Sequence, residues 1–218
     1  MKLDFFPRLS SAYGQREEFN RIINDQTEVV LLLAIPGLFG TMTFAPQLIT
    51  VFYSEEFREA TPLLVIFPMG CLWRVLGAPL GFVRVAAGRG SLYFWTEALT
   101  NGIHLGLIVL FLSQYGLIGV AWAYFVHGLI QTGILVVISH HISGFRWSLS
   151  IRRALVALLP MVAGMYYLCN HMAPAISLPV GGFVTLASGW MGCRALSRRL
   201  PADHRIGKLL RKVGLASN

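Results

Sequence analysis

The sequence predicts an all-α integral membrane protein with six transmembrane helices, and three observations support this fold class. Hydrophobic residues make up 55% of the 218 residues, and charged residues only 13%, about half of the roughly 25% that is usual in soluble domains. The charges gather between long apolar runs, and the mean hydropathy is +0.62. Six of these runs are long enough for membrane-crossing helices, which need about 20 residues each.

The six apolar segments appear when the chain is cut at its charges and turn residues. A bilayer core about 30 Å thick is crossed by about 20 residues at about 1.5 Å per residue. The predicted spans are residues 29–53, 61–87, 91–112, 117–139, 154–171 and 175–193. We expect them to form one bundle over residues 29–196, preceded by a cytoplasmic amphipathic segment (1–28) and followed by a basic cytoplasmic tail (197–218).

The distribution of basic residues predicts the orientation of this bundle. All but Arg58 and Arg74 of the 18 lysines and arginines fall on one side of the membrane when the six spans alternate. Basic residues are concentrated in cytoplasmic loops, so both termini are predicted to be cytoplasmic. The net charge of +8 is thereby explained without a nucleic-acid partner. The tail is expected to rest on anionic lipid headgroups, with binding of a partner protein as the alternative.

The first 28 residues and the first span contain several helix-breaking residues. Residues 1–28 are amphipathic, with Pro7 and Gly14 as expected breakers, and suit a surface helix on the cytoplasmic face or a simple linker. Pro36 and Pro46 fall inside the first span, where each removes a backbone hydrogen bond and bends the helix. Neighbouring helices in a membrane accommodate such bends.

The second span places an arginine near the middle of the membrane. A charged side chain at that depth costs about 2.5–3.5 kcal/mol on insertion scales, so it usually faces water or a partner. The arginine shares one helical face with small residues, which either permit close helix packing or leave open space around it. This face consists of Gly70, Arg74, Gly77, Ala78 and Gly81.

The third and fourth spans also concentrate their polar residues on single helical stripes. The stripe on span three is Glu97, Asn101 and His104, and that on span four is Tyr124, His127 and Gln131. Spans five and six lack a charge at mid-depth. We therefore expect spans one to four to border a cavity and spans five and six to pack at the periphery.

The sequence shows no catalytic or metal-binding pattern. Cys71, Cys169 and Cys193 lie inside apolar runs without metal-ligand spacing and are expected to be small core residues. His140 and His141, at the end of span four, suit interfacial anchoring better than metal binding. No catalytic residue, metal or cofactor is therefore expected.

Several local strings resemble one family of transporters. Residues 4–10 and 24–29 are similar to the inner loop before a central span of Wzx-type O-antigen flippases, and residues 48–60 resemble an outer loop of the same family. The strings at residues 79–82, 87–90, 116–121 and 143–148 fit the same order and spacing. This family is the polysaccharide branch of the multidrug/oligosaccharidyl-lipid/polysaccharide exporter superfamily, and the resemblance extends over about residues 1–150.

The resemblance implies a function and a location. Such flippases move polyprenyl-pyrophosphate-linked oligosaccharides across the bacterial inner membrane for export of surface polysaccharide such as the O-antigen of lipopolysaccharide. They have about twelve to fourteen spans in two bundles, and this chain resembles the C-terminal bundle alone. The implied partners are the lipid-linked oligosaccharide, membrane lipids, the missing N-terminal half and polysaccharide polymerase components. The alternatives are an integral-membrane glycosyltransferase or acyltransferase of envelope polysaccharide synthesis, and a non-transporting half that needs a partner chain.

The resemblance also suggests roles for the polar residues inside the spans. An anionic pyrophosphate suits a basic patch, and we expect Arg74, His104, His127 and Asn101 to contact the substrate. Glu97 is the candidate for ion coupling. The alternatives are an Arg74–Glu97 ion pair, histidines that are buried and donate to backbone carbonyls, and a Glu97 carboxylate that stays hydrated.

Overall fold

The structure is a computed structural model that describes residues 2–53 and 55–197. Apart from Ser197, the predicted basic tail lies outside these residues. Over the described residues the fold is all-helical, as predicted. The α-helices are α1 (Lys2–Ser11), α2 (Arg16–Thr43), α3 (Ala45–Phe52), α4 (Thr61–Ala86), α5 (Gly90–Tyr115), α6 (Leu117–Ser143), α7 (Leu149–His171) and α8 (Pro174–Ser197), with a 3-10 helix (Glu55–Ala60) before α4.

Six of the described helices are long and apolar enough to cross a membrane, which confirms the predicted fold class. They are α2 and α4 to α8. Their ends differ from the hydropathy boundaries because turn chemistry sets them. Gly116 and Gly144 follow α5 and α6 with φ of 63° and 68°, a conformation that glycine adopts without steric cost.

The N-terminal part differs from the predicted division at residue 28. Gly14 turns the chain with φ of 97°, but Pro7 lies inside α1 without ending it. α2 then runs without interruption from Arg16 through residue 28 into the first span, and it contains Pro36. The helix ends before Pro46, which occupies the first turn of α3, where its missing N–H costs nothing.

The centre of the bundle is the close pair α4 and α6, which approach each other over glycines. A Cβ added at Gly70 would lie 2.5 Å from Cδ1 of Tyr124, and one added at Gly128 would lie 3.0 Å from the carbonyl oxygen of Gly70. Further along, the Thr132 hydroxyl donates a hydrogen bond of 2.7 Å to the carbonyl oxygen of Trp73. The small residues of span two therefore serve close helix packing at this level, one of the two predicted alternatives.

The remaining helices surround this pair. α5 packs on α6, α8 and α7 pack on α2, and α1 lies against α2 and α4. The contacts of α1 belong to an apolar cluster at the end of the bundle where α4 stops and α5 starts. We call this the arginine-rich end, because it carries Arg16, Arg21, Arg84, Arg89, Arg146, Arg152 and Arg153.

Candidate functional site

A cavity of about 480 Å³ lies between α1, α4, α5 and α6, toward the arginine-rich end. We call it the central cavity. The helix α2 contributes no side chain to its wall, so the prediction that span one borders the cavity is wrong. The physical reason is that α2 is enclosed by α4, α7 and α8. The polar residues that line the central cavity are Arg74, Arg84, Tyr93, Glu97, Gln131 and Thr132.

Arg74 reaches this cavity from the middle of α4, as the helical stripe predicted. Its side chain is exposed, and its guanidinium carbon lies 5.6 Å from the ring centroid of Tyr124 on α6. This is a cation–π contact between α4 and α6. None of the described carboxylates forms an ion pair with Arg74. The alternative of an Arg74–Glu97 pair is therefore not found.

Glu97 instead pairs with Arg84, which the charge pattern had assigned to the cytoplasmic side of the membrane. Nη2 of Arg84 donates to Oε1 of Glu97 at 2.8 Å, and the two side chains are 1% and 31% exposed. The Arg84 guanidinium also lies 4.9 Å from the ring centroid of Tyr93. Its Nε and Nη1 atoms are buried and have no hydrogen-bond partner among the described residues. A buried guanidinium with only one of its three nitrogens bonded is costly.

A sequence signal could have found Arg84. Arg74, Gly77, Gly81 and Arg84 are spaced at offsets 0, 3, 7 and 10, which continues the polar stripe of α4 for one more turn. The helix extends to Ala86, so the short connection leaves Arg84 inside the bundle rather than in the loop. α1 packs against α4, and its Phe6 shares the cavity wall with Arg84.

His104 and His127, which were predicted to belong to one basic patch, lie side by side. Their rings are stacked with centroids 4.2 Å apart and an interplanar angle of 8°, and the His104 ring lies 6.0 Å from the Tyr124 ring. His127 is 1% exposed, and neither of its ring nitrogens has a hydrogen-bond partner among the described residues.

The four predicted contact residues do not all line the central cavity. Arg74 does, but His104 and His127 lie beyond Tyr124, outside the cavity wall. Asn101 is exposed on α5, and its amide nitrogen donates to the Glu97 carbonyl oxygen at 2.8 Å. The structure thus joins the first three residues through Tyr124 and leaves Asn101 on its own helix surface.

The remaining singled-out residues have ordinary structural surroundings. Cys71, Cys169 and Cys193 are half-buried free thiols, and the Cys71 sulfur lies 3.5 Å from the Tyr124 hydroxyl. Nδ1 of His140 lies 3.0 Å from the carbonyl oxygen of Phe145, where it ties the end of α6 to the following loop. This contact fits anchoring at the end of the span.

Comparisons with known proteins find two distant relatives whose names refer to glycan or teichuronic acid biosynthesis. The teichuronic acid biosynthesis protein TuaB of Bacillus subtilis is 32% identical over 103 residues, which are 46% of this chain and 21% of that protein. The probable low-salt glycan biosynthesis flippase Agl15 of Haloferax volcanii is 22% identical over 142 residues, 64% of this chain and 29% of that protein. The chain is a multi-pass membrane protein with distant, flippase-like relatives.

These similarities are partial. The matched region of this chain spans less than a third of the length of each curated relative. No family model matches the sequence, and no solved structure gives a significant match.

Proposed function

We propose that this chain is part of a flippase that moves a polyprenyl-pyrophosphate-linked oligosaccharide across the bacterial inner membrane for surface polysaccharide export. The main support is the position of Arg74. It faces the central cavity from the middle of α4 and has no carboxylate partner among the described residues. The relatives support a glycan-linked substrate, since one of them is named as a probable glycan biosynthesis flippase.

The proposed role of the cavity is to hold the anionic headgroup while it crosses. An arginine forms bidentate hydrogen bonds to phosphate oxygens, which a lysine cannot match geometrically. In our proposal Arg74 makes this contact. The stacked pair of His104 and His127 holds Tyr124 in place against Arg74. Asn101 contacts the sugar from α5.

Glu97 is proposed as the ion-coupling residue, and its contact with Arg84 gives this role a physical form. The carboxylate holds a buried guanidinium whose other nitrogens lack partners. A proton or cation that binds Glu97 weakens this ion pair and frees Arg84 to bind an anion in the same cavity. Coupling therefore links the charge state of one residue to the anion affinity of its neighbour.

We further propose that the transporting unit contains a second helical bundle. The chain matches only a fraction of its relatives, and the central cavity lies at one side of α4 and α6 rather than enclosed by six helices. A half equivalent to the C-terminal bundle of a Wzx-type transporter, with both termini cytoplasmic, fits this arrangement. The second bundle is then supplied by the same polypeptide or by a partner chain.

The experiment that tests the substrate contact uses Arg74 variants in the complete transporter. We expect Arg74→Ala to lower transport of the lipid-linked oligosaccharide about tenfold or more, because loss of a charge-assisted hydrogen bond costs about 1.5–3 kcal/mol. Arg74→Lys should recover only part of the activity. Arg153→Ala, an exposed charge on α7, is the matched control and should leave transport unchanged. Unchanged transport with Arg74→Ala would contradict the proposal.

Two further measurements separate the parts of this proposal. A cysteine at position 74 should react with small hydrophilic thiol reagents in the intact assembly, because the site faces water. Glu97→Gln should remove the dependence of transport on pH or membrane potential. If the variant transports fully under all those conditions, the coupling role is wrong while the substrate contact stands.

A further inference from the structure

A second large cavity lies along α6 and adjoins the central cavity at Thr132, which lines both of them. It has a volume of about 630 Å³, within the range of about 300–1,000 Å³ typical of small-molecule sites. We call it the lateral groove. It is lined by Trp73 from α4, by Leu129, Thr132, Gly133, Val136 and Val137 from α6, by Phe145, Arg146 and Trp147 from the loop, and by Arg152 and Leu155 from α7.

The lateral groove is open because α7 does not pack along α6. α7 packs against α2 and α4 instead, which leaves α4 as the floor between two separated walls. Gly133 adds room in the α6 wall, since a Cβ added there would meet no atom within 4 Å. The groove is therefore a product of the helix arrangement and would accept a chain-like apolar ligand along α6.

The two ends of the lateral groove differ in chemistry. From Leu129 to Val136 the α6 wall is mainly apolar over about 10 Å of helix length. At the arginine-rich end, Arg146 and Arg152 are exposed, and neither forms an ion pair with a described carboxylate. Arg152 lies in the first turn of α7, whose N–H groups add positive potential.

A third group at the arginine-rich end lacks a partner. The indole Nε1 of Trp147 is buried and has no hydrogen-bond acceptor among the described residues, although indole N–H groups usually find one when buried. A ligand in the lateral groove could supply the missing acceptor for Trp147.

We propose that the lateral groove is a binding site for one anionic glycerophospholipid. The acyl chain lies along the α6 wall past Gly133, the phosphate is held by Arg146 and Arg152, and the Trp147 indole donates to a phosphate or ester oxygen. Basic pockets between transmembrane helices bind anionic lipid headgroups in this way. Two guanidinium groups without carboxylates favour a headgroup of net negative charge over a zwitterionic one. Among the described residues the site shares only Thr132 with the central cavity, and the proposed lipid binding does not depend on transport.

The test is lipid binding to the purified full chain in detergent, measured by native mass spectrometry. Titration with phosphatidylglycerol should give one tightly retained lipid, whereas phosphatidylcholine should be retained at least tenfold more weakly. Arg152→Gln should weaken phosphatidylglycerol binding about fivefold and the Arg146→Gln/Arg152→Gln pair about 25-fold, at about fivefold for each basic residue. Arg153→Gln, one residue away and outside the groove, is the matched control and should change binding less than twofold.

A second variant tests the apolar part of the groove without changing charge. Gly133→Phe should fill the open wall and abolish retention of the lipid while the protein keeps its helical circular dichroism. Equal retention of both lipids, equal effects of Arg152→Gln and Arg153→Gln, or undiminished binding with Gly133→Phe would overturn the proposal. Displacement of the lipid by millimolar inorganic phosphate would likewise overturn it, because the groove would then be an anion site only.

Discussion

The buried ion pair between Arg84 and Glu97 is the contact whose loss should be most visible in the stability of the bundle. Glu97→Gln removes the carboxylate that accepts from Nη2 at 2.8 Å and leaves the shape of the side chain nearly unchanged. Arg84 keeps its charge, but it is then buried with no anionic partner among the described residues. The perturbation therefore isolates the electrostatic part of the contact.

The expected cost follows from the burial of the two partners. Removal of one member of an ion pair that is buried on both sides costs about 3–5 kcal/mol. Here the Arg84 side chain is 1% exposed and the Glu97 side chain is 31% exposed, so water screens the pair from one side. The glutamine can also still accept a neutral hydrogen bond. We therefore expect the free energy of unfolding to fall by about 2–3 kcal/mol.

The measurement is unfolding by sodium dodecyl sulfate in mixed micelles, followed by tryptophan fluorescence, for a double-mutant cycle. Arg84→Gln, Glu97→Gln and the double variant complete the cycle, and we expect a coupling energy of about 2 kcal/mol. The double variant should be more stable than the sum of the single losses indicates, because it leaves no unpaired charge. Arg89→Gln, an exposed arginine at the same end, should stay within about 0.5 kcal/mol of the unmodified chain.

One result would refute this reasoning. If Glu97→Gln leaves the free energy of unfolding within about 0.5 kcal/mol of the unmodified chain, the guanidinium of Arg84 has another partner or is hydrated. The ion pair would then be incidental to the fold.

Three further predictions concern contacts between helices. Gly70→Ala should destabilise the bundle by about 1–3 kcal/mol, because the new methyl group would lie 2.5 Å from Cδ1 of Tyr124. Thr132→Val should cost about 0.6 kcal/mol and at most about 1.7 kcal/mol, the range for hydrogen bonds between membrane helices, since it removes the 2.7 Å bond to α4. Asn24→Ala should cost about 2 kcal/mol at about 1 kcal/mol per bond, because its side chain makes two hydrogen bonds, of 3.1 and 2.8 Å, to the backbone between α6 and α7. The same detergent unfolding experiment measures all three.

Each of these changes has a control in the same bundle. Gly102→Ala places a methyl group on α5 where no atom lies within 4 Å, so it should not destabilise the protein. Thr41→Val removes a hydroxyl bonded only within its own helix and should cost less than Thr132→Val. Asn170→Ala removes an exposed amide that bonds the preceding turn and should cost well under 1 kcal/mol. Equal losses in a variant and its control would show that the interhelical contact is not the cause.

The position of polar residues along each helix could be predicted from the sequence, but their partners could not. Arg74, His104 and His127 were assigned to one basic patch from their positions on polar stripes, and the structure brings them together through Tyr124. The partner of Glu97 was missed because Arg84, two residues before the end of its helix, is indistinguishable by hydropathy from a basic residue at the membrane surface. Only the packing of α1 and α5 against the end of α4 makes Arg84 a buried residue.

The sequence by itself determined that the chain has six helices long and apolar enough to cross a membrane, and where each polar group lies along its helix. The reason is that bilayer thickness and helix rise fix the length of a span. In addition, lipid offers no hydrogen-bond partners, so the backbone groups must pair within a helix. The tertiary structure alone decided which helices touch and how each is rotated. The pairing and rotation of the helices depend on close approach at glycines such as Gly70 and Gly128. Hydropathy gives no information on which helix will pack against these glycines.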